Sequence, residues 1–305
     1  MKVSNCYIVY NSGAGKNNAG KLAEKIKEEL INRTNANCTL FESSSKEKDF
    51  EFAQTLEETE NSLIIVLGGD GTLGAIVRCL ILAEKDLPIA VFPSGTANDF
   101  AHGVKIPKRV KKFVSLILSS EPVLVDCINV NGDDYAINAL GAGNFTNGVT
   151  IYSARLKKLF GKFGYYFKCI ADSFKMKSAF LNFKTDGEEF SAETLMYYAT
   201  NSKCAGGFHH FAKNADVSDG EWDLVVVKKC GFWGCVSVFF SILFGSASKN
   251  KHIITRRIKT LEVTGGEENK KFYRCDIDGN PGPEGTLKAE VLNKKVKIFT
   301  NLNNL

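Results

Sequence analysis

Residues 62–67 (SLIIVL) pass without a break into Gly68-Gly69-Asp70-Gly71-Thr72, and those into residues 73–82 (LGAIVRCLIL). A continuous, β-branched apolar run marks a strand covered on both faces, and a segment apolar nearly all round fits a helix packed on the same sheet. The glycines between them can adopt conformations closed to other residues and bring backbone N–H groups against phosphate oxygens. Thr72 adds a hydroxyl donor. An acid in a phosphate loop repels the anion unless a cation lies between them, so Asp70 is read as acting through Mg²⁺. The plainer reading, a tight turn that needs its glycines, fits the strand–helix setting less well.

The flanking sequence extends the pattern. Residues 6–10 read as a strand, while Ala19, Leu22, Ala23, Ile26 and Leu30 fall on one helical face. Residues 37–41 read as a second strand, 50–56 as a short helix and 88–92 as another buried strand. This alternation predicts an α/β domain over 1–125, with a parallel sheet and ligands outside the carboxyl ends of its strands. The loop after residue 92 presents Ser94, Thr96, Asn98 and Asp99 around Gly95. Thr96 or Asn98 taken alone is as well suited to capping the next helix. Asn11-Ser12-Gly13-Ala14-Gly15-Lys16 lacks the first glycine of GxxxxGK[ST] and is followed by Asn17, so it is not a Walker A loop. Nucleotide contact and a plain turn fit it equally.

From about residue 123 the texture changes. Residues 122–130, 135–140, 180–183, 194–199, 222–227, 258–263 and 295–299 are short strand-like runs parted by turn pairs such as Asn131-Gly132 and Asp186-Gly187. A β-rich antiparallel domain over 126–294 is expected, with a tail at about 295–305 that can return to the first domain. Two helical segments interrupt it. Residues 155–174 carry an apolar stripe from Leu156 to Phe174, with Lys157, Lys158, Lys162 and Lys168 elsewhere, and the second lies at 232–244.

The chain of 305 residues is long enough for two cores, and 44% hydrophobic with 24% charged residues excludes disordered and collagenous classes. A net charge of +5 permits anionic partners but falls short of the basic footprint of a nucleic-acid binder, so no nucleic acid is expected. Nine cysteines, an odd number with no CxxC, argue for reduced thiols in a cytoplasmic protein rather than a zinc site or disulfide framework. The apolar run at 6–10 is too brief for a signal-peptide core, and no export is expected. The longest apolar stretch, residues 231–245, is shorter than the roughly 20 residues that span a bilayer.

Together, GGDGT at 68–72 and PSGTANDFA at 93–101 resemble the diacylglycerol kinase catalytic-domain family, soluble lipid kinases related to the ceramide and sphingosine kinases. NSGAGK at 11–16, Asp126 in LVDCINV, Gly161 and Tyr165 in KKLFGKFGYY, Ala205-Gly206-Gly207, Asp219-Gly220 and Asp278-Gly279 extend the resemblance over nearly the whole chain. It implies a Rossmann-like nucleotide-binding domain followed by an antiparallel, β-sandwich-like lipid-binding domain, with the active site between them. ATP and Mg²⁺ are the implied cofactors. Nucleotide contacts are implied for Asn11, Gly68, Gly69, Gly71, Thr72, Ser94, Gly95, Thr96 and Asn98, and Asp70, Asp99 and Asp126 resemble the carboxylates around the catalytic Mg²⁺. Asp219, with the backbone carbonyls of Asp216 and Glu221, is similar to a structural metal site in part of the family. Asp278 and Asp70 are the implied catalytic residues, Asp278 as the base that takes the proton from the lipid hydroxyl. Such a base suits the chemistry, since an alcohol is a poor nucleophile without a carboxylate in reach.

The chain departs from the family at Asn280, where Asp-Gly-Glu is common, and Glu284 is expected to supply the missing carboxylate. The expected reaction is phosphorylation of the hydroxyl of a diacylglycerol-like or sphingoid lipid. It would take place at a membrane surface met peripherally through 155–174 or 232–244, with a homodimer as a further expectation. Two alternatives stand beside it: an NAD kinase, which shares GGDGT but lacks the PSGTANDFA pattern, and a non-catalytic nucleotide or lipid sensor, for which Asn280 is the hint. His209 and His210, adjacent and so on opposite faces of a strand, are read as surface residues.

Overall fold

The computed structural model describes residues 2–11, 18–144, 177–266 and 274–301. Its first part runs β1 (Asn5–Tyr10), α1 (Ala19–Thr34), β2 (Asn37–Glu42), α2 (Lys46–Thr55), β3 (Ser62–Gly68), α3 (Asp70–Leu82), β4 (Ile89–Pro93), α4 (Asp99–Gly103) and α5 (Val110–Ser119). The four strands are parallel in the order β2-β1-β3-β4. Every residue of β3 is buried, as its unbroken apolar run requires of a central strand. Helix α1 buries Ala19, Ala23, Ile26 and Leu30, the stripe expected from spacing, and ends at Asn35 in the left-handed conformation. Strand order reverses between β1 and β3, so right-handed crossovers carry the helices to both faces and leave a crevice at the carboxyl ends of these two strands. Asn11 follows one and Gly68-Gly69 end the other.

The second part comprises β5 (Val123–Val130), β6 (Asp134–Ala136), β7 (Ala139–Gly143), β8 (Ala179–Thr185), β9 (Glu188–Thr200), β10 (Trp222–Lys228), α6 (Phe232–Leu243), β11 (Ile253–Ile258), β12 (Thr260–Gly265), β13 (Asp276–Ile277), β14 (Asn280–Pro281) and β15 (Leu287–Ile298). Its pairings are antiparallel. The β8–β9 hairpin turns on the two residues Asp186-Gly187 and the β5–β6 hairpin on the three residues 131–133, with Asn131, Gly132, Asp186 and Gly187 all at positive φ. Alternation along β9 and β10 sends Tyr197, Ala199, Trp222, Leu224 and Val226 to one core and Met196, Val225 and Val227 to another beneath α6. Strand β15 joins the two parts: it runs antiparallel to β5 and β12, and its last residue, Ile298, pairs in parallel with Ile89 of β4.

Several elements differ from the sequence expectation. Helix α2 starts at Lys46 rather than residue 50, because Ser45 Oγ accepts the Lys48 N–H. Helix α3 starts inside the glycine loop, at Asp70. Helix α5, with Phe113, Val114 and Ile117 buried, was not anticipated. The strand expected over 135–140 is split into β6 and β7, with consequences described below. His209 and His210 lie in turns, not on a strand, and His209 meets His102 edge-on at 5.1 Å. The helix expected over 155–174, with Gly161 and Tyr165, and residues 12–16 fall outside the described residues.

Asn201, buried at the end of β9, ties the split strand to β5: its Nδ2 donates to the Asp126 carbonyl at 2.7 Å and the Ile137 carbonyl at 3.0 Å. Asn201→Ala leaves two buried carbonyls unpaired and is expected to lower stability by about 2 kcal/mol, read as a lower urea midpoint at unchanged slope.

Candidate active site

The two loops singled out by sequence lie side by side. The Gly68 carbonyl accepts the N–H groups of Ser94 at 3.0 Å and Gly95 at 3.2 Å. A Cβ on Gly95 would stand 2.4 Å from the Gly69 Cα, so the approach requires glycine there. Asn98, left-handed at φ 54°, folds its amide back onto Gly95: Oδ1 accepts the Gly95 N–H at 2.8 Å and Nδ2 donates to the Gly95 carbonyl at 2.9 Å. It therefore braces the loop and does not cap α4. That cap is Asp70, whose carboxylate accepts the N–H groups of Asp99 and Phe100, each at 2.9 Å.

This geometry fits a nucleotide accompanied by a cation. Burial pushes the Asp70 carboxyl upward, backbone donors oppose the shift, and no basic side chain among the described residues contributes to it. The Thr72 and Leu73 N–H groups donate to the Gly69 carbonyl at 3.1 and 3.0 Å, whereas the Asp70 and Gly71 amides that open α3 have no carbonyl of their own helix to bind, which suits them to phosphate oxygens. Ser94 Oγ is buried without a hydrogen-bond partner among the described residues. Asp99 accepts the Gly207 N–H at 3.0 Å, which brings the 205–207 segment to the same place. Carboxylates are hard oxygen donors suited to Mg²⁺, which keeps water and phosphate as its other ligands. Among the described residues no three His, Cys, Asp or Glu side chains converge to hold an ion unaided.

Asp278 occupies the gap between β6 and β7. The Ile137 N–H donates to its Oδ2 at 2.7 Å, and those of Asn138 and Ala139 to its Oδ1 at 2.9 and 2.8 Å. Three of about four acceptor positions are thus filled, leaving one on Oδ2. Burial lifts its pKa from 3.8 to about 7, the three N–H groups oppose the shift, and the charge of Asp70 adds to it. Asn280 Nδ2 donates to the Gly71 carbonyl at 2.9 Å and so ties the β13–β14 hairpin to the GGDGT loop. A carboxylate there would lack that donor. Glu284 instead pairs with Arg274 at 3.9 Å on the surface; no hydrogen bond or ion pair takes it to Asp278, so it does not replace the missing acid.

The remaining acids form a separate group. Asp126 is expected beside Asp70 and Asp99; its carboxylate accepts the N–H groups of Gly220 and Lys294, both at 2.6 Å, and the charges of Asp219 and Asp216 add to the upward push that burial gives it. In the loop expected to hold a structural metal, the Asp219 and Glu221 side chains face Arg257, with Glu221 2.8 Å from its Nε, and the Asp216 side chain accepts from Ser218 of its own loop.

Sequence reading did not mark Gly74, Asn138, Asn201 or Ser202. The last two belong to a polar trio, Thr200-Asn201-Ser202, that follows the apolar run 195–199 of β9; the Ser202 hydroxyl donates to Asn138 Oδ1 at 2.6 Å. Gly74 is the more telling omission, since a Cβ there would lie 2.6 Å from Asp278 Oδ2. Gly74→Ala is expected to lower turnover about 100-fold or more while far-UV circular dichroism stays native, because the methyl group displaces the carboxylate by a fraction of an ångström.

Residues 5–130 match the diacylglycerol kinase catalytic domain, and residues 145–300 match the YegS C-terminal NAD kinase beta sandwich-like domain. A diacylglycerol kinase of Bacillus subtilis (strain 168) is 29% identical over 235 residues, 77% of this chain and 75% of its own. One of Staphylococcus carnosus (strain TM300) is 26% identical over 295 residues, 96% of this chain and 94% of its own. A solved diacylglycerol kinase structure from Bacillus anthracis str. Sterne superposes over the full length of both chains with a TM-score of 0.78 at 24% identity, which establishes a shared fold. The chain therefore belongs to the diacylglycerol kinase family of lipid kinases, enzymes that pass a phosphoryl group to an alcohol.

Proposed function

We propose that this chain phosphorylates the hydroxyl of a diacylglycerol-like or sphingoid lipid, with ATP as donor and Mg²⁺ as the assisting ion, at a membrane surface it meets peripherally. No helix among the described residues is long and apolar enough to cross a membrane. The observation that carries the reading is Asp278: a buried carboxylate with a pKa near 7, one acceptor position left open on Oδ2, and the Asp70 charge acting on it.

The amides of Gly69, Asp70 and Gly71 would hold phosphate oxygens, with Thr72 and Ser94 as hydroxyl donors. Asp70 and Asp99 would hold Mg²⁺, which when bound offsets charge on the phosphates. Asn280, through the Gly71 carbonyl, keeps the phosphate loop and the base in register. Asp278 Oδ2 takes the hydroxyl proton, and a base whose pKa lies near the working pH is suited to that transfer.

The test is transfer of labelled γ-phosphate from Mg-ATP to diacylglycerol, ceramide, sphingosine and phosphatidylglycerol in mixed micelles, with NAD as a separate acceptor. Labelled lipid is expected, with a loss of about 1,000-fold or more in Asp278→Asn and in Asp70→Asn. Label on NAD alone, or undiminished transfer in both variants, would overturn the proposal.

The pH dependence carries a definite sign. Asp278 must be ionised to act, so kcat/KM is expected to rise as pH increases through about 7 and to level off above it. The folded protein holds this proton between its unfolded value of 3.8 and its folded value of about 7, so this one group weakens the fold as pH rises across that interval. A pH–rate profile beside urea midpoints at several pH values checks both.

A further inference from the structure

Helix α6 is apolar on both sides, but among the described residues only one side is covered. Val238 and Ile242 pack into the core beneath it. Residues 233, 240 and 244 recur at spacings of seven and four and so share the opposite stripe. Trp233 is 80% exposed, Phe240 47% and Phe244 72%. Five large apolar side chains are exposed among the described residues, and three of them stand on this one stripe, which scattered surface hydrophobics do not do.

Charge tells what kind of surface covers it. Residues 224–261 contain no Asp or Glu but seven Lys and Arg. Four of these meet acids elsewhere: Lys229 with Glu193, Arg256 with Glu188, and Arg257 and Lys259 with Glu221. Lys249 and Lys251, just past the carboxyl end of α6, are exposed with no ion pair among the described residues. Gly245 abuts His210 and Lys213, which adds a further cation beside the aromatic stripe. A second copy of the chain pairing through this face would set these cations against their own kind, whereas an anionic bilayer complements both the aromatics and the lysines.

The helix also communicates with the active site. Phe239 meets the Phe208 ring edge-on at 5.9 Å, and the residue before Phe208, Gly207, donates its N–H to Asp99.

We infer that the Trp233–Phe240–Phe244 face of α6, with Lys249 and Lys251 beside it, is the surface by which this enzyme docks on an anionic lipid bilayer. The inference rests on the lipid-kinase reading for its purpose but is measurable without turnover. The chain has two tryptophans, and Trp222 is fully buried, so Trp233 reports on the face. Vesicles of phosphatidylcholine with phosphatidylglycerol, carrying brominated acyl chains, are expected to quench Trp233 and shift its emission to the blue. Trp233→Phe is expected to abolish the quenching while co-sedimentation persists. Phe240→Ser combined with Phe244→Asp is expected to weaken co-sedimentation by about tenfold or more, and Lys249→Glu with Lys251→Glu by about fivefold per residue on anionic vesicles alone. Transfer to a short-chain, water-dispersed diacylglycerol should be unchanged in these variants, while transfer to vesicle-borne lipid falls.

Vesicle binding untouched by the aromatic variant would overturn the inference. So would sedimentation showing that the variant converts a dimer to a monomer while vesicle binding persists, for the face would then join two copies of the chain. Absence of transfer to the short-chain lipid by the unaltered protein would instead count against the lipid-kinase reading, since quenching of Trp233 does not depend on turnover.

Discussion

The structure turns on one carboxylate held by an interrupted strand. Between β6 and β7 the chain leaves the ladder for two residues, and the N–H groups of Ile137, Asn138 and Ala139 close on Asp278. The Asp278 N–H returns a bond to the Ala139 carbonyl, so hairpin and gap hold each other. Three donors on a buried acid stabilise its ionised form, burial destabilises it, and the balance lies near neutrality. An uninterrupted strand would have used those N–H groups on a neighbour and left the carboxylate bare.

Around this point two unlike sheets become one. Strand β15 is antiparallel to β5 and then reaches β4 in parallel, so the parallel sheet and the β-rich part share a backbone hydrogen-bond network. Asn280 to Gly71, Gly207 to Asp99 and the Gly74 contact with Asp278 each cross from one part to the other. Relative movement of the parts would break all three. The positions of Asp70 and Asp278 are therefore set by the joint, not by either part alone.

The acids divide by how their charge is met. Asp219 and Glu221 are met by Arg257. Asp126 and Asp70 are each met by two backbone amides, and among the described residues no cation pairs with either, the condition under which a carboxylate favours an arriving metal ion. Asp70 is the one of these two that stands in the glycine loop, although its Asp-Gly setting in the sequence is shared with Asp219.

How much could be read in advance follows from the range of each interaction. The βα unit at 62–82, the α1 stripe and the Asn-Gly and Asp-Gly turns were legible because periodicity and backbone preference act over a few residues, and the two glycine loops because close backbone approach, as of Gly95 to Gly69, excludes other side chains. Contacts between residues far apart in sequence were not legible. Asp278 meets residues about 140 positions earlier, Asn280 meets Gly71, and Arg257 meets Asp219. Gly74 looked like an ordinary helix residue until Asp278 lay against it. By itself the sequence determined the element types, the parallel-then-antiparallel order and the two loops. The tertiary structure alone decided which carboxylates share a site, which are neutralised and which face of α6 stays bare, because burial and charge pairing depend on neighbours that only the completed fold supplies.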